Sequence, residues 1–294
     1  MTLSPINRRK ASLVIAGLAA GLLLPFGATG SAQEPKAQRI VSIGGSVTEI
    51  VYALGEEGRL VAVDTTSVYP SAARDLPSVG YVRQLAAEGV LALNPDLILA
   101  IAGSGPLQTV DVLKAGAVPY VDVPEGYSEE AVIAKVDAIA EALGVADKAE
   151  AIKAEITADF KTTRDAVAGA KTHPRVLFLL SAGGGRLMAA GTHSAADAVI
   201  RLAGGVNAFG DFEGYKPINA EALVAAAPDY IIAMERPGAH PIKELRKLAG
   251  LELTPAGAEP DRLIAVDGQA LLGFGPRTAS SLLQLARDLG TVTD

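Results

Sequence analysis

Residues Glu88–Ala100, EGVLALNPDLILA, and Glu221–Ala233, EALVAAAPDYIIA, are two copies of one phrase, 133 positions apart (221 − 88). They align without a gap and share the Glu, the first Ala, the Pro, the Asp, the Ile and the last Ala. In each copy a turn of amphipathic helix is broken by Pro-Asp and followed by an apolar run of strand length. A period of 133 is far longer than the roughly 20–50 residues of a solenoid repeat. Two readings are open at this point. Helix–Pro-Asp–strand joints can recur by coincidence in α/β proteins, or the chain holds two similar α/β lobes with a ligand between them.

The flanking sequence repeats the same alternation. Around the first copy, Arg39–Ser42 reads as a buried strand, and Ser46 as the cap of a helix Val47–Leu54 that Gly55 stops. Leu60–Asp64 is a second strand, with Thr65–Pro70 leaving its C-terminal end as a loop. A helix over Pro106–Ala115 and a strand over Pro119–Val123 follow. Around the second copy the series is a strand Val176–Leu180, a Gly-rich turn Ser181–Gly185, and a helix Ser194–Leu202 stopped by Gly204-Gly205. A helix near Pro241–Leu248, a strand Leu263–Val266 and a last helix Arg277–Leu289 complete it. Only Ser128–Ala170 lacks a strand; there, one helix runs to Leu143 and stops at Gly144, and a second spans about Ala146–Ala168. The predicted class is α/β: two similar lobes with mostly parallel central sheets, joined by a long helix, with the ligand cleft between them. The expected lobes are 33–143 and 173–294, with the connecting helix in 144–172. Function is expected at the C-terminal ends of the strands.

Composition narrows the class. Residues 1–32 have the plan of a secretory signal peptide: basic Arg8-Arg9-Lys10, apolar Ala11–Leu24, then Gly30-Ser31-Ala32 as a small-residue cleavage site. The apolar run is short for a membrane span, and Pro25 and Gly27 end it. We therefore expect export to the periplasm without stable membrane insertion, with cleavage after Ala32. The chain has no cysteine, so neither a disulfide nor a lipid anchor at a cleavage-site Cys is available. Loss of three basic and no acidic residues takes the net charge from −7 to −10. That surface disfavours nucleic acid and anionic membrane as partners. A monomer is expected.

No catalytic arrangement emerges. There is no G-x-S-x-G elbow, P-loop or spaced dinucleotide fingerprint, so no enzyme activity is expected. The three histidines, His173, His193 and His240, are scattered and lack the spacing of a helical metal site. The most informative polar residue is Tyr69. Pro70 holds it extended, in the loop that leaves the strand ending at Asp64. A phenolate is a hard anionic ligand for ferric iron; a packing or interfacial tyrosine is the alternative reading. Tyr81, Tyr127 and Tyr215 fall in loops that could line a cleft. Arg83, Arg186, Arg236 and Arg277 sit at predicted cleft edges. There they are either surface charges or partners for carboxylates. The Gly-rich turn with Gly183 and Gly184 is open to two readings as well, an anion-binding nest or a tight strand connection.

Taken together, RIVSIGGSVTEIVYALG, TTSVYPSAARDLPSVGYVRQLAAEGVLALNPDLILA, LSAGGG, GTHSAADAVIRLAGG and LLGFGPR resemble the periplasmic haem-binding proteins of ABC-type haem importers. This is the helical-backbone class of substrate-binding proteins, and the resemblance covers essentially the whole chain after the leader. It implies haem b as the transported ligand in the interlobe cleft, with Tyr69 of the S-x-Y-P loop as an axial iron ligand. It also implies an inner-membrane permease dimer with its ATPase as partner, with Glu88 and Glu221 docking on permease arginines. Arg83 falls where the family presents a basic residue to haem, and Arg236 is placed to hydrogen-bond the tyrosine. None of the three histidines matches a second axial ligand. A ferric siderophore or a cobalamin is the alternative cargo.

Overall fold

The computed structural model describes residues 36–181, 187–235 and 240–292. The first lobe is built on β1 (Ile40–Ile43), α1 (Gly45–Ala53), β2 (Leu60–Val63), α2 (Ala87–Leu91), β3 (Leu97–Ile101), α3 (Leu107–Ala115) and β4 (Tyr120–Val123). Its sheet has the order β2-β1-β3-β4 and is parallel throughout. Two helices without an intervening strand follow, α4 (Glu129–Leu143) and the long α5 (Ala146–Ala168). The Ser128 side chain caps α4, and Gly144, at φ 66°, ends it as the sequence predicts.

The second lobe holds β5 (Arg175–Ser181), β6 (Leu187–Ala190), α6 (Ala195–Leu202), β7 (Val206–Asn207) and β8 (Tyr215–Ile218). It continues with α7 (Ala220–Ala226), β9 (Tyr230–Met234), α8 (Pro241–Leu245), α9 (Pro255–Ala258), β10 (Leu263–Val266), α10 (Gly268–Leu272) and α11 (Thr278–Asp288). The sheet order is β10-β9-β5-β6-β8, with β7 also paired to β5. Its β10, β9, β5 and β7 pair in parallel, whereas β6 and β8 add on antiparallel. Those two strands are absent from the sequence reading. Tyr-Lys-Pro-Ile carries a proline, which argues against a central strand, but β8 lies at the sheet edge, where a missing N–H costs no ladder bond.

The doubled phrase occupies equivalent places in the two sheets. Strand β3 lies between β1 and β4, and β9 between β5 and β10. Their first residues, Leu97 and Tyr230, keep the offset of 133 (230 − 97). The Pro-Asp pair has a specific task in both. Asp96 accepts hydrogen bonds from the backbone N–H groups of Gln38 and Arg39 at 2.8 Å, at the entry to β1. Asp229 accepts from the N–H of Arg175 at 2.8 Å, at the entry to β5. The arginines reciprocate. Arg39 donates to the carbonyls of Leu93 and Asn94 just past α2, and Arg175 to that of Ala226 at the end of α7 and that of Ala208 after β7, so each guanidinium satisfies backbone carbonyls at or just past a helix end.

Each copy also turns through the left-handed region one residue before its proline. Asn94 has φ 48° there and Ala227 φ 42°. Asparagine tolerates this conformation, whereas alanine pays about 1–2 kcal/mol for its Cβ against the following carbonyl. Ala227→Gly should therefore raise stability by about 1 kcal/mol after glycine's entropy is subtracted. Urea unfolding monitored by circular dichroism would show it as a higher midpoint at unchanged slope.

Helix α1 corrects one detail of the sequence reading. The helix starts at Gly45, and Ser46 is buried within it instead of capping it. The N–H of Gly45 goes to the Thr66 hydroxyl at 3.0 Å, and that of Gly44 to the Asp64 carboxylate at 2.8 Å. The cap thus comes from the loop after β2, a tertiary partner that a local pattern does not reveal.

The core is shared between the lobes. One buried cluster runs from Ile50 and Val51 of α1 through Val136 and Ile139 of α4 and Ile156 and Phe160 of α5. It continues into Val199 of α6 and Leu282 of α11. Two smaller clusters lie on the outer sheet faces, around Ile98 and Leu113 in the first lobe and around Ile231 and Leu245 in the second. An apolar interface of this kind opposes large lobe rotation. Among the described residues no helix is long and apolar enough to cross a membrane.

Candidate functional site

The loop Thr65–Pro70 is organised by Asp64, which is 1% exposed. Besides the Gly44 N–H, its carboxylate accepts from the Thr66 N–H at 3.0 Å, the Thr66 hydroxyl at 2.7 Å and the Ser67 hydroxyl at 2.8 Å. The Ser67 hydroxyl in turn belongs to a buried chain with those of Thr48 and Ser42, each link 2.7 Å long. A carboxylate with four such donors fixes the turn that carries Tyr69. Asp-Thr-Thr-Ser is a side-chain-to-backbone turn signal, which ties this role to the local sequence.

Tyr69 itself is 42% exposed. Its ring lies against the Arg277 guanidinium, whose carbon is 3.5 Å from the ring centroid. Arg277 belongs to the Gly-Phe-Gly-Pro-Arg segment of the second lobe. It is fixed by Glu49 of α1, at 3.0 Å from one terminal nitrogen, and by Asp267, at 3.0 Å from the other. Burial opposes its charge, but these two carboxylates more than compensate and raise its pKa. The same pairing lowers the pKa of Asp267 against the effect of its burial. Glu49 is 4% exposed and bridges the lobes.

A second group of side chains faces the junction of the lobes. Tyr127 of the first lobe meets Phe274 of the second, ring centroids 5.3 Å apart. Burial pushes the Tyr127 and Tyr215 phenols above their ordinary range, which keeps them protonated as hydrogen-bond donors. Arg83, exposed and donating to the Gly103 carbonyl at 2.9 Å, lies close enough to act on both, and on Glu125. Behind them Lys135 of α4 is fully buried. Its ammonium donates to the carbonyls of Gly273 (3.1 Å) and Phe274 (3.3 Å) and stands 3.4 Å from Glu125, which accounts for its three hydrogens. Burial lowers the Lys135 pKa and raises that of Glu125, with each partner's charge pulling the other way.

Of the residues singled out by sequence, the structure therefore places Tyr69 beside Arg277, and Arg83 near Tyr127 and Tyr215. Glu88 and Glu221 are exposed in the first turns of α2 and α7. Gly183, Gly184 and Arg236 lie outside the described residues, as does Arg186. His173 binds the Gly204 carbonyl at 2.8 Å, and the well-exposed His193 lies 3.4 Å from Glu213. His240 lines a surface depression with Glu235, Lys243 and Arg246. No group of three or more His, Cys, Asp or Glu among the described residues is placed to hold a bare metal ion. Two contributors escape sequence reasoning altogether. Glu49 is a lone carboxylate among apolar neighbours in the helix, and Gln269 meets the Tyr69 loop from some 200 positions away.

A family model for periplasmic binding proteins matches residues 40–266. The chain belongs to the periplasmic binding protein family. That makes it a binding protein and not an enzyme, in agreement with the sequence expectation. Among solved structures, it is similar to the periplasmic heme-binding protein BhuT in complex with two hemes, with 40% identity and a TM-score of 0.79. The match covers 85% of this chain and 97% of that one. RhuT from Roseiflexus sp. RS-1, a periplasmic heme-binding protein in apo form, matches at 36% identity and TM-score 0.80 over 86% and 97% of the two chains. A periplasmic heme-binding protein from Pseudomonas aeruginosa matches at 37% and 0.79 over 87% and 94%. A vitamin B12-binding protein of Yersinia pestis is 31% identical over 67% of this chain and 69% of its own.

Proposed function

We propose that this chain captures haem b between its two lobes in the periplasm and passes it to an inner-membrane ABC permease and its ATPase for iron uptake. The observation that carries this reading is the presentation of Tyr69. Its half-exposed phenol stands on a turn braced by Asp64, with the Arg277 guanidinium against the ring. Such an oxygen suits ferric iron, for which tyrosinate is an established axial ligand. Tyr127, backed by the buried ring of Phe274, and Tyr215 offer apolar and hydrogen-bonding surface to a porphyrin, and Arg83 offers charge to its propionates. The similarity to heme-binding proteins at 36–40% identity over more than four-fifths of the chain supports the same cargo. Residues 1–32 act in this reading as a cleaved export signal, and the exported protein works as a monomer.

Cobalamin is the second reading, favoured by the vitamin B12-binding relative. Its cobalt does not call for a phenolate, so it leaves the Tyr69 turn without a use. The two separate in one experiment. Hemin titrated into the purified protein should give a saturable Soret band with the visible charge-transfer absorption of ferric tyrosinate, and excess cyanocobalamin should leave it in place. Displacement by cobalamin at equal concentration, or no band at micromolar hemin, would overturn the haem reading.

A further inference from the structure

Gln269, the second residue of α10, belongs to the second lobe, yet among the described residues every side-chain hydrogen bond it makes is to the first. Its Oε1 accepts from the backbone N–H groups of Val68 at 2.8 Å and Tyr69 at 2.9 Å. Its Nε2 donates to the Gly45 carbonyl at 2.9 Å, with Glu49 and the Tyr69 carbonyl both at 3.3 Å. A glutamine amide offers one oxygen with two lone pairs and two N–H donors, and all are engaged here. The orientation is forced, because a flipped amide would set its own N–H groups against two backbone donors.

The approach is close enough to restrict its neighbours. A Cβ on Gly45 would lie 3.0 Å from both Cγ and Cδ of Gln269, and 2.7 Å from the Thr66 carbonyl. The Gln269 backbone is itself fixed through its N–H to Asp267, the carboxylate that holds Arg277. The second lobe therefore grips Tyr69 twice, by its main chain through Gln269 and by its ring through Arg277. The first lobe contributes the Asp64 turn on which Tyr69 stands.

We infer that Gln269 is a positioning residue for the cargo ligand, a strap that makes the placement of Tyr69 depend on the relative position of the lobes. This rests on the reading of Tyr69 as the iron ligand. A hydrogen bond weakens steeply over the first ångström of stretch, so a displacement too small to break the shared core is enough to loosen Tyr69. Release of cargo then needs only a slight parting of the lobes at this edge. The strap also explains why the iron ligand can sit on a loop and still be preorganised.

The test uses the full mature protein loaded with hemin, and follows hemin transfer to excess apomyoglobin by stopped flow. Gln269→Ala should accelerate hemin loss on the order of 10-fold, the usual scale for removing a group that orients a metal ligand. The tyrosinate bands should broaden but persist. Gln269→Glu keeps the acceptor oxygen for both N–H groups but sets a like charge beside Glu49, and should fall between the two. It also serves if the alanine variant unfolds. Tyr69→Phe is the control that separates the two claims. If it abolishes the tyrosinate bands while both Gln269 variants lose hemin within two-fold of the parent rate, the strap is wrong and the ligand assignment stands. If Tyr69→Phe leaves the bands intact, both fall.

Discussion

Tyr69→Ala should lower hemin affinity on the order of 100-fold, about 2.7 kcal/mol, and erase the charge-transfer absorption of ferric tyrosinate. Two losses combine in this variant. The iron loses an anionic oxygen, and Arg277 loses the ring on which it lies at 3.5 Å. Tyr69→Phe divides them. Phenylalanine keeps the stacking surface and the turn, so folding stability should stay within about 0.5 kcal/mol, whereas the bands should vanish as fully as in the alanine variant. A phenylalanine variant that retains the tyrosinate spectrum would show that another oxygen holds the iron. The most exposed alternative is Tyr81, at 44%. Tyr127 and Tyr215 are poorer candidates, because burial disfavours their ionisation.

The contrast between Tyr69 and Gln269 shows which parts of the molecule can be read from sequence. Helix and strand positions are legible because they rest on local physics. Ser128 and Gly144 bound α4 through a cap and a left-handed residue, and the apolar run Leu97–Ile101 forms β3. The architecture is legible because the phrase is doubled at a fixed offset, and Pro-Asp performs the same clamp at Asp96 and Asp229. Tyr69 is legible because Asp64, Ser67 and Pro70 are its sequence neighbours. What escapes is whatever depends on the second lobe closing against the first. Gln269 is one polar residue in a short helix with no pattern around it, and Glu49 acquires its role only when Arg277 arrives across the junction. The cap of α1 escapes for a more local reason: it comes from Thr66, 21 positions past Gly45, in a loop that Asp64 positions within the same lobe. Strands β6 and β8 escape for a different reason. Each is only four residues long, β8 carries a proline, and α6 and β7 separate the two in sequence, so no hairpin signal or alternation marks them.

Glu88→Ala combined with Glu221→Ala should leave hemin binding unchanged and reduce delivery to background. The two carboxylates stand at matching positions of the doubled phrase, exposed in the first turns of α2 and α7, away from the Tyr69 turn in sequence and in hydrogen bonding. An exposed leucine accompanies each, Leu107 at 73% on α3 beside α2, and Leu253 at 69% in the turn packed on α7. One exposed carboxylate–guanidinium pair is worth about 0.2–1 kcal/mol in water, and more when an interface excludes solvent around it. Two pairs held rigidly apart act together, because the first contact raises the effective concentration of the second. Each single variant should therefore weaken coupling on the order of tenfold, and the double variant on the order of 100-fold if the sites are independent. Hemin-dependent stimulation of the ATPase by each variant, with permease and ATPase reconstituted in proteoliposomes, reads this directly. Stimulation by the double variant at the parent level would remove docking from these residues. Loss in Glu88→Ala alone, with Glu221→Ala silent, would instead mean that the permease reads one lobe, and the duplication would then serve the fold only.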